Sequence, residues 1–186
     1  MILPVYAYGQ PILKKVAEEI DKDYEDLHTL IENMWETMYN ASGIGLAAPQ
    51  IGKSIRLFLV DTQQIEEEEK DFEGIKKAFI NAQVIDEEGE ECSFEEGCLS
   101  IPDIRADVNR LSKVRIRYMD EDFNEHEETY EGITARVIQH EYDHIEGKLF
   151  TEKLAPLRKR LIKRKLENIK KGKVHVDYRM RFAVKK

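Results

Sequence analysis

The chain has 186 residues, 41% of them hydrophobic and 9% aromatic, enough apolar material for one domain with a substantial core. A formal net charge of -8 argues against nucleic-acid binding through an overall basic surface, and no sequence-specific nucleic-acid contact is expected. No apolar run approaches the roughly eighteen residues of a membrane span. The start, Met1-Ile2-Leu3-Pro4-Val5-Tyr6, lacks the basic residues and apolar run of a signal peptide, so a cytoplasmic protein is expected.

In chain order, residues 25–40 read as a helix, because Leu27, Leu30, Ile31, Met34 and Met38 recur at three and four. Ser42-Gly43-Ile44-Gly45 ends it. Ile55 to Val60 reads as a buried strand, and the acidic run Glu66 to Glu69 as a solvated loop between strands. Ala78 to Ile85 is a further strand, Glu87-Glu88-Gly89-Glu90 a turn, and Glu91 to Glu95 a return. Lys113 to Met119 alternates charged and apolar residues, the pattern of a strand with one wet face. Asp120 to Asn124 turns the chain and Glu125 to Tyr130 comes back beside it. A helix follows over about 133–145, with Gly147 as its stop. Another starts at Pro156, with Leu157, Leu161, Ile162, Leu166 and Ile169 on one face and Arg158, Lys159, Arg160, Lys163, Arg164 and Lys165 on the other. Val174 to Tyr178 reads as a last strand. Short strands and separate helices without a βαβ rhythm predict an α+β fold, with mainly antiparallel sheet packed around a central helix and a C-terminal helix after it. There is no internal repeat, and the chain reads as a single domain, 1–186.

The helix over 133–145 contains His140-Glu141-Tyr142-Asp143-His144. Positions i and i+4 share a face, so both imidazoles reach one metal ion, while the glutamate sits about 100° round the helix and is free to move protons. A surface helix with two unrelated histidines is the other reading. Ile133, Val137, His140 and His144 fall at i, i+4, i+7 and i+11, which turns the histidines inward. Buried imidazoles need partners, and either a metal or an ordinary core hydrogen bond supplies one.

A catalytic site of this kind wants three protein ligands and an open position. His28, His126 and His175 read as structural or solvated. Cys98, in Glu95-Glu96-Gly97-Cys98-Leu99-Ser100-Ile101-Pro102, is the better third ligand, because the preceding glycine allows close backbone approach and a thiolate is a strong soft donor. A buried free thiol is the alternative. With Cys92 six residues away a disulfide is possible on count alone, but a reducing compartment disfavours it. Gly43-Ile44-Gly45-Leu46-Ala47-Ala48-Pro49-Gln50 lacks the Lys-Ser/Thr of a phosphate loop. It reads as a tight substrate-facing loop ending in an amide donor for an oxyanion, or as a helix stop with close packing.

Taken together, these three segments resemble the peptide deformylase family, which carries a Gly-x-Gly-x-Ala-Ala-x-Gln loop, a Glu-Gly-Cys-Leu-Ser strand and a Gln-His-Glu-x-x-His helix in that order. Here they stand at Gly43 to Gln50, Glu96 to Ser100 and Gln139 to His144, with similar flanks at Pro11 to Ala17 and Glu146 to Phe150. The resemblance covers roughly residues 4–170 and implies a metal-dependent hydrolase that removes the formyl group from the N-terminal formyl-methionine of new peptides. It implies Cys98, His140 and His144 as metal ligands and Glu141 as general acid/base, with the Gln50 amide and the Leu99 N–H at the oxyanion. Backbone at Ile44, Gly45 and Gly97 would align the peptide. Ile44, Glu96, Ile133, Arg136, Val137 and His140 would line the methionine pocket, with the Arg136 stem packed and its head in water. The implied cofactor is one divalent ion, iron(II) in the cell, with zinc, nickel or cobalt as substitutes.

Residues 173–186 depart from the shortest family members. The basic face of the last helix implies docking at the ribosome, with a merely solvated amphipathic helix as the alternative. Two other readings share features with this one. A zinc endopeptidase would not need Cys98, and a metal-stabilised binding protein would need neither Glu141 nor Gln50.

Overall fold

A computed structural model describes residues 1–65 and 72–184 of the chain. The acidic run Glu66 to Glu69 lies outside the described residues.

The strands are β1 (Val5–Tyr6), β2 (Gly45–Ala47), β3 (Leu57–Asp61), β4 (Lys76–Cys98), β5 (Ile101–Met119), β6 (Glu125–Glu131) and β7 (Met180–Arg181). The helices are α1 (Leu27–Asn40), α2 (Gly132–Ile145) and α3 (Pro156–Lys170). Strands β2 to β6 form one sheet in sequence order with every neighbour antiparallel, while β1 and β7 pair in parallel. This is the α+β architecture expected, with the histidine-bearing helix central and α3 at the C-terminal side. No helix among the described residues is long and apolar enough to cross a membrane.

Strand alternation explains how α2 is held. All five residues of β3 are buried. Leu57 and Leu59 join Ile31, Met34 and Met38 of α1 on one face, while Phe58 and Val60 join Ala135, Val137 and Ile138 of α2 on the other. Phe79 of β4 stacks on Phe58 with ring centroids 4.9 Å apart and meets Tyr118 of β5 at 4.4 Å. Val114, Ile116 and Tyr118 complete this layer, which is why alternation over Lys113 to Met119 was readable. Burying one such aromatic side chain is worth roughly 1.5–3 kcal/mol, so the layer fixes α2 against the sheet.

Several boundaries differ from expectation. Asp26 adopts a left-handed conformation, φ 55°, so α1 begins at Leu27 rather than residue 25. Ile55 makes an isolated bridge with Glu18, and the strand proper starts at Leu57. Residues 87–90 are not a turn. The chain runs straight on as β4, and Gly89, at φ 89°, marks a bulge between Glu88 and Glu91. Residues Glu91 to Glu95 therefore pair with Asp107 to Leu111 of β5, not back on Ala78 to Ile85. Val174 to Tyr178 forms no strand, because the paired residues are Met180 and Arg181. On α3, Ile162 and Ile169 enter a core with Leu13, Ile104 and Phe150, but Leu157 and Leu161 stay 65% exposed. Leu161 lies about 100° round the helix from Ile162, off the buried seam.

Candidate metal centre and substrate cleft

Each site residue is delivered by an element whose reason for existing lies in the core. His140 and His144 sit one turn apart on the face of α2 that looks past the sheet, and both are buried. Cys98 is the last residue of β4, and Ile101 pairs opposite it, so Leu99 and Ser100 form a two-residue turn beside the helix. Gln50 lies on a 3-10 turn, Ala48–Ile51, that follows β2 directly.

The sulfur of Cys98 is 3.3 Å from His144 Nε2, and the ligand atoms of Cys98, His140 and His144 all lie within 4.8 Å of one another. Both cysteines are free. A thiolate with two imidazoles would suit one divalent ion. Burial, followed by the neighbouring His140, pushes the His144 imidazole well below its ordinary pKa, which favours the neutral form that ligates. Among the described residues, His144 Nδ1 and Glu141 Oε2 are buried without a hydrogen-bond partner. Such atoms cost about 1–3 kcal/mol each, the signature of a site kept for binding rather than for stability.

Around this centre the side chains are tightly held. Gln50 Oε1 accepts from the Ala47 N–H at 2.9 Å, which aims its amide nitrogen at Ser100 Oγ, 3.1 Å away, and Cys98 Sγ, 3.5 Å away. His140 Nδ1 is 2.8 Å from a Glu96 carboxylate oxygen, which leaves Nε2 for the centre. Glu96 also accepts from Arg110 at 2.7 and 2.9 Å and from Arg136 at 2.8 Å, and Arg110 reaches on to Asp143 at 2.9 Å. Burial opposes ionisation of Glu96, but the hydrogen bonds from His140 and Arg110 outweigh it and hold the carboxyl far below the usual range. Glu141 has no such partners, and burial pushes its carboxyl up to about 7. Gly45 lies against it, so close that a Cβ there would come within 2.7 Å of the Glu141 carboxyl carbon.

Beside the centre opens a cleft of about 700 Å³. Ile44, Gly45, Gln50, Glu96, Gly97, Cys98, Leu99, Ile133, Arg136, Val137, His140 and Glu141 all line it, and His144 lies behind them. His28 is exposed, His126 pairs with Asp120, and His175 reaches only the rim of the cleft. One expectation fails. The head of Arg136 is not in water: the residue is 6% exposed, and its guanidinium also donates to the carbonyls of Val108 and Cys92, each at 2.7 Å. Glu96, forty residues earlier, supplies the charge that makes this burial affordable. Arg110, Asp143 and Ser100 are site-supporting residues that the sequence did not single out. Only Arg110 left a trace, as a charged residue at an inward position of β5.

The family model described as polypeptide deformylase matches residues 2–160. The peptide deformylase of Christiangramia forsetii is 58% identical, over 98% of this chain and 96% of that protein. That of Flavobacterium psychrophilum is 56% identical over the full length of both. Among solved structures, a peptide deformylase from Legionella pneumophila superposes with a TM-score of 0.81 at 38% identity, covering 93% of this chain and 98% of that one. A Met-Ala-Ser-bound class I type b peptide deformylase from Acinetobacter baumannii gives 0.75 at 33% identity, covering 83% and 99%. With its three motifs gathered at one centre and its whole length matched by these relatives, the chain belongs to the peptide deformylase family.

Proposed function

We propose that Cys98, His140 and His144 hold one divalent metal ion, that Glu141 moves the protons, and that the Gln50 amide and the Leu99 N–H receive the developing oxyanion. The reaction is that of the family: hydrolysis of the formyl group from the N-terminal formyl-methionine of newly made polypeptides, with release of formate. The observation that carries the residue assignment is the convergence of one sulfur and two imidazoles within 4.8 Å, beside a buried, unpartnered carboxylate oxygen.

When bound, the ion acidifies a water and polarises the formyl carbonyl. Glu141, whose carboxyl titrates near neutrality, takes the proton of the attacking water and returns it to the leaving nitrogen. Gln50, pinned by the Ala47 N–H, needs no reorganisation to donate to the oxyanion, and one such donor is worth roughly 3 kcal/mol. Backbone at Ile44, Gly45 and Gly97 aligns the peptide as an added strand. Ile44, Ile133 and Val137 enclose the methionine side chain, together with the ring of His140. Glu96 neutralises Arg136, so this wall presents no bare charge to a thioether. The chain works as one catalytic domain in the cytoplasm, where formylated nascent chains arise.

Iron(II) is the ion we assign in the cell, with zinc, nickel or cobalt able to substitute, since a thiolate-imidazole set accepts all of them. Metal analysis of anaerobically purified protein, with turnover measured on the same sample, tests this. Glu141→Ala is expected to keep the metal and lose roughly 10²–10⁴-fold in kcat on formyl-Met-Ala-Ser. Substantial remaining turnover refutes the proton-shuttle role. The six exposed cations of α3, flanked by exposed Leu157 and Leu161, support docking at the ribosome. Reversing the charge of Arg158, Lys159, Arg160, Lys163 and Arg164 is expected to abolish ribosome co-sedimentation at low salt, and unchanged co-sedimentation refutes docking through this face.

A further inference from the structure

The turn that carries Leu99 is gripped from outside the sheet by two segments distant in sequence, one around Tyr8 and one around Tyr178. The Leu99 carbonyl accepts from the Tyr178 hydroxyl at 2.7 Å, across 79 residues. The next carbonyl, of Ser100, accepts from the Tyr8 N–H at 2.8 Å. Ser100 Oγ accepts from Gln50 at 3.1 Å. Three bonds from three separate segments thus meet on a two-residue turn.

Tyr178 is delivered by a stretch with almost no regular structure of its own. Residues 173–179 form neither helix nor strand. What fixes them is the stitching that follows at once. The Val5 N–H donates to Arg179 O at 2.9 Å and the Ala7 N–H to Arg181 O at 3.0 Å. Gln10 donates to the carbonyls of Arg181 and Phe182 at 3.2 and 2.9 Å, and the Arg181 guanidinium donates to the Tyr6 hydroxyl at 3.0 Å. The β1–β7 pair is therefore the anchor of a strap. Tyr178 is its working end and, with Val176 and Asp177, lines the cleft.

We propose that Tyr178 is a positioning residue for deformylation, acting with the Tyr8 N–H as a clasp that holds the Leu99–Ser100 turn so that the Leu99 N–H is aimed at the oxyanion. This rests on the assignment of the Leu99 N–H made above. An oxyanion donor is effective because it is oriented before charge develops. A two-residue turn with only Cys98 between it and Gly97 has freedom to rock its peptide planes. Fixing the Leu99 and Ser100 carbonyls on one side, with Cys98 fixed at the metal centre on the other, removes that freedom.

The test is Tyr178→Phe in the metal-loaded enzyme, which removes the hydroxyl and keeps the ring. A lost neutral hydrogen bond acting only through orientation predicts a roughly five- to tenfold fall in kcat on formyl-Met-Ala-Ser. KM, metal content and the Kd of the product Met-Ala-Ser are expected to stay within twofold, because none of them draws on the oxyanion. A role confined to shaping the cleft would instead weaken product binding along with kcat, and that outcome overturns the proposal. So does a kcat within twofold of wild type. Should the variant not fold, Arg181→Met, which loosens the strap without touching the turn, is read by the same criteria. Amide-to-ester replacement at Leu99 separates the two levels. If it lowers kcat while Tyr178→Phe does not, the clasp is wrong and the Leu99 assignment stands; if neither lowers kcat, the assignment falls too.

Discussion

Replacing Glu96 by glutamine probes how much of the metal centre is built by charge behind it. The carboxylate accepts four hydrogen bonds, from His140 Nδ1, twice from Arg110 and once from Arg136, and Glu96, Arg110 and Arg136 are all buried. Two buried guanidinium groups are balanced by Glu96 and Asp143. Glutamine keeps the shape but leaves one positive charge unmatched. At an effective dielectric of about 20 each contact near 4 Å is worth roughly 4 kcal/mol, part of which the carboxylate loses to its own desolvation. The net expectation is a loss of about 3 kcal/mol, at the low end for breaking a buried pair, because Asp143 still holds Arg110 and carbonyls still hold Arg136. Urea unfolding of the metal-free protein reads that loss as a lower midpoint at unchanged slope. Metal affinity, measured by competition with a chromophoric chelator, is expected to fall roughly 10–100-fold, because His140 loses the charged carboxylate that orients its ring. A variant within about 1 kcal/mol of wild type in stability, and unchanged in metal affinity, would refute the reasoning.

Gly45→Ala is expected to displace the Glu141 side chain and cut kcat by at least an order of magnitude with metal retained, as read by steady-state assay and metal analysis; wild-type kcat would show that the carboxylate has room to move. Phe79→Ala removes a fully buried ring from the layer beneath α2 and should cost about 3–5 kcal/mol in urea unfolding; a loss near 1 would mean that the layer collapses to fill the space. Asp120, at the β5–β6 turn, is held down to about 2 by the His126 hydrogen bond, followed by backbone N–H groups of Asn124 and Asp122. A depressed folded-state pKa stabilises above the ordinary value of 3.8 and loses that contribution as pH falls toward 2. Asp120→Ala should therefore lower Tm at pH 6, by an amount worth under about 1 kcal/mol at this half-buried, solvent-screened site. That gap should narrow below pH 4, and a constant gap would contradict the assignment.

What could be read from the residues was whatever rested on local period. The face of α2 was legible because Ile133, Val137, His140 and His144 keep one phase. The last third of β5 was legible because Val114, Ile116 and Tyr118 alternate with charges. The long β4 was not, because residues 86–95 are exposed on both faces and only Cys92 and Phe94 among them are apolar, too few to mark an alternating strand. Its continuity is imposed by β5 lying alongside, and the glycine that reads as a turn is a bulge. Arg136 was misplaced for a related reason. A side chain's surroundings depend on a carboxylate forty residues away, and no window along the helix contains it. Cys98 and Gln50 were singled out by their glycine-rich neighbours, and the structure brings both to the centre. Nothing local to Tyr178 hinted that it would touch the Leu99 turn, since two paired residues at 180–181 are too short a strand to leave a pattern.

The parallel pairing of Val5–Tyr6 with Met180–Arg181 has a kinetic corollary. The two halves of this ribbon, Val5–Tyr6 and Met180–Arg181, are far apart in sequence, so its closure carries a large loop entropy. During vectorial synthesis β1 must wait, unpaired, until Met180 and Arg181 are made. The metal-ligand triad is complete well before that moment. Assembly of the centre and tightening of its rim are thus separable events, with the β1–β7 pair acting as the last stitch.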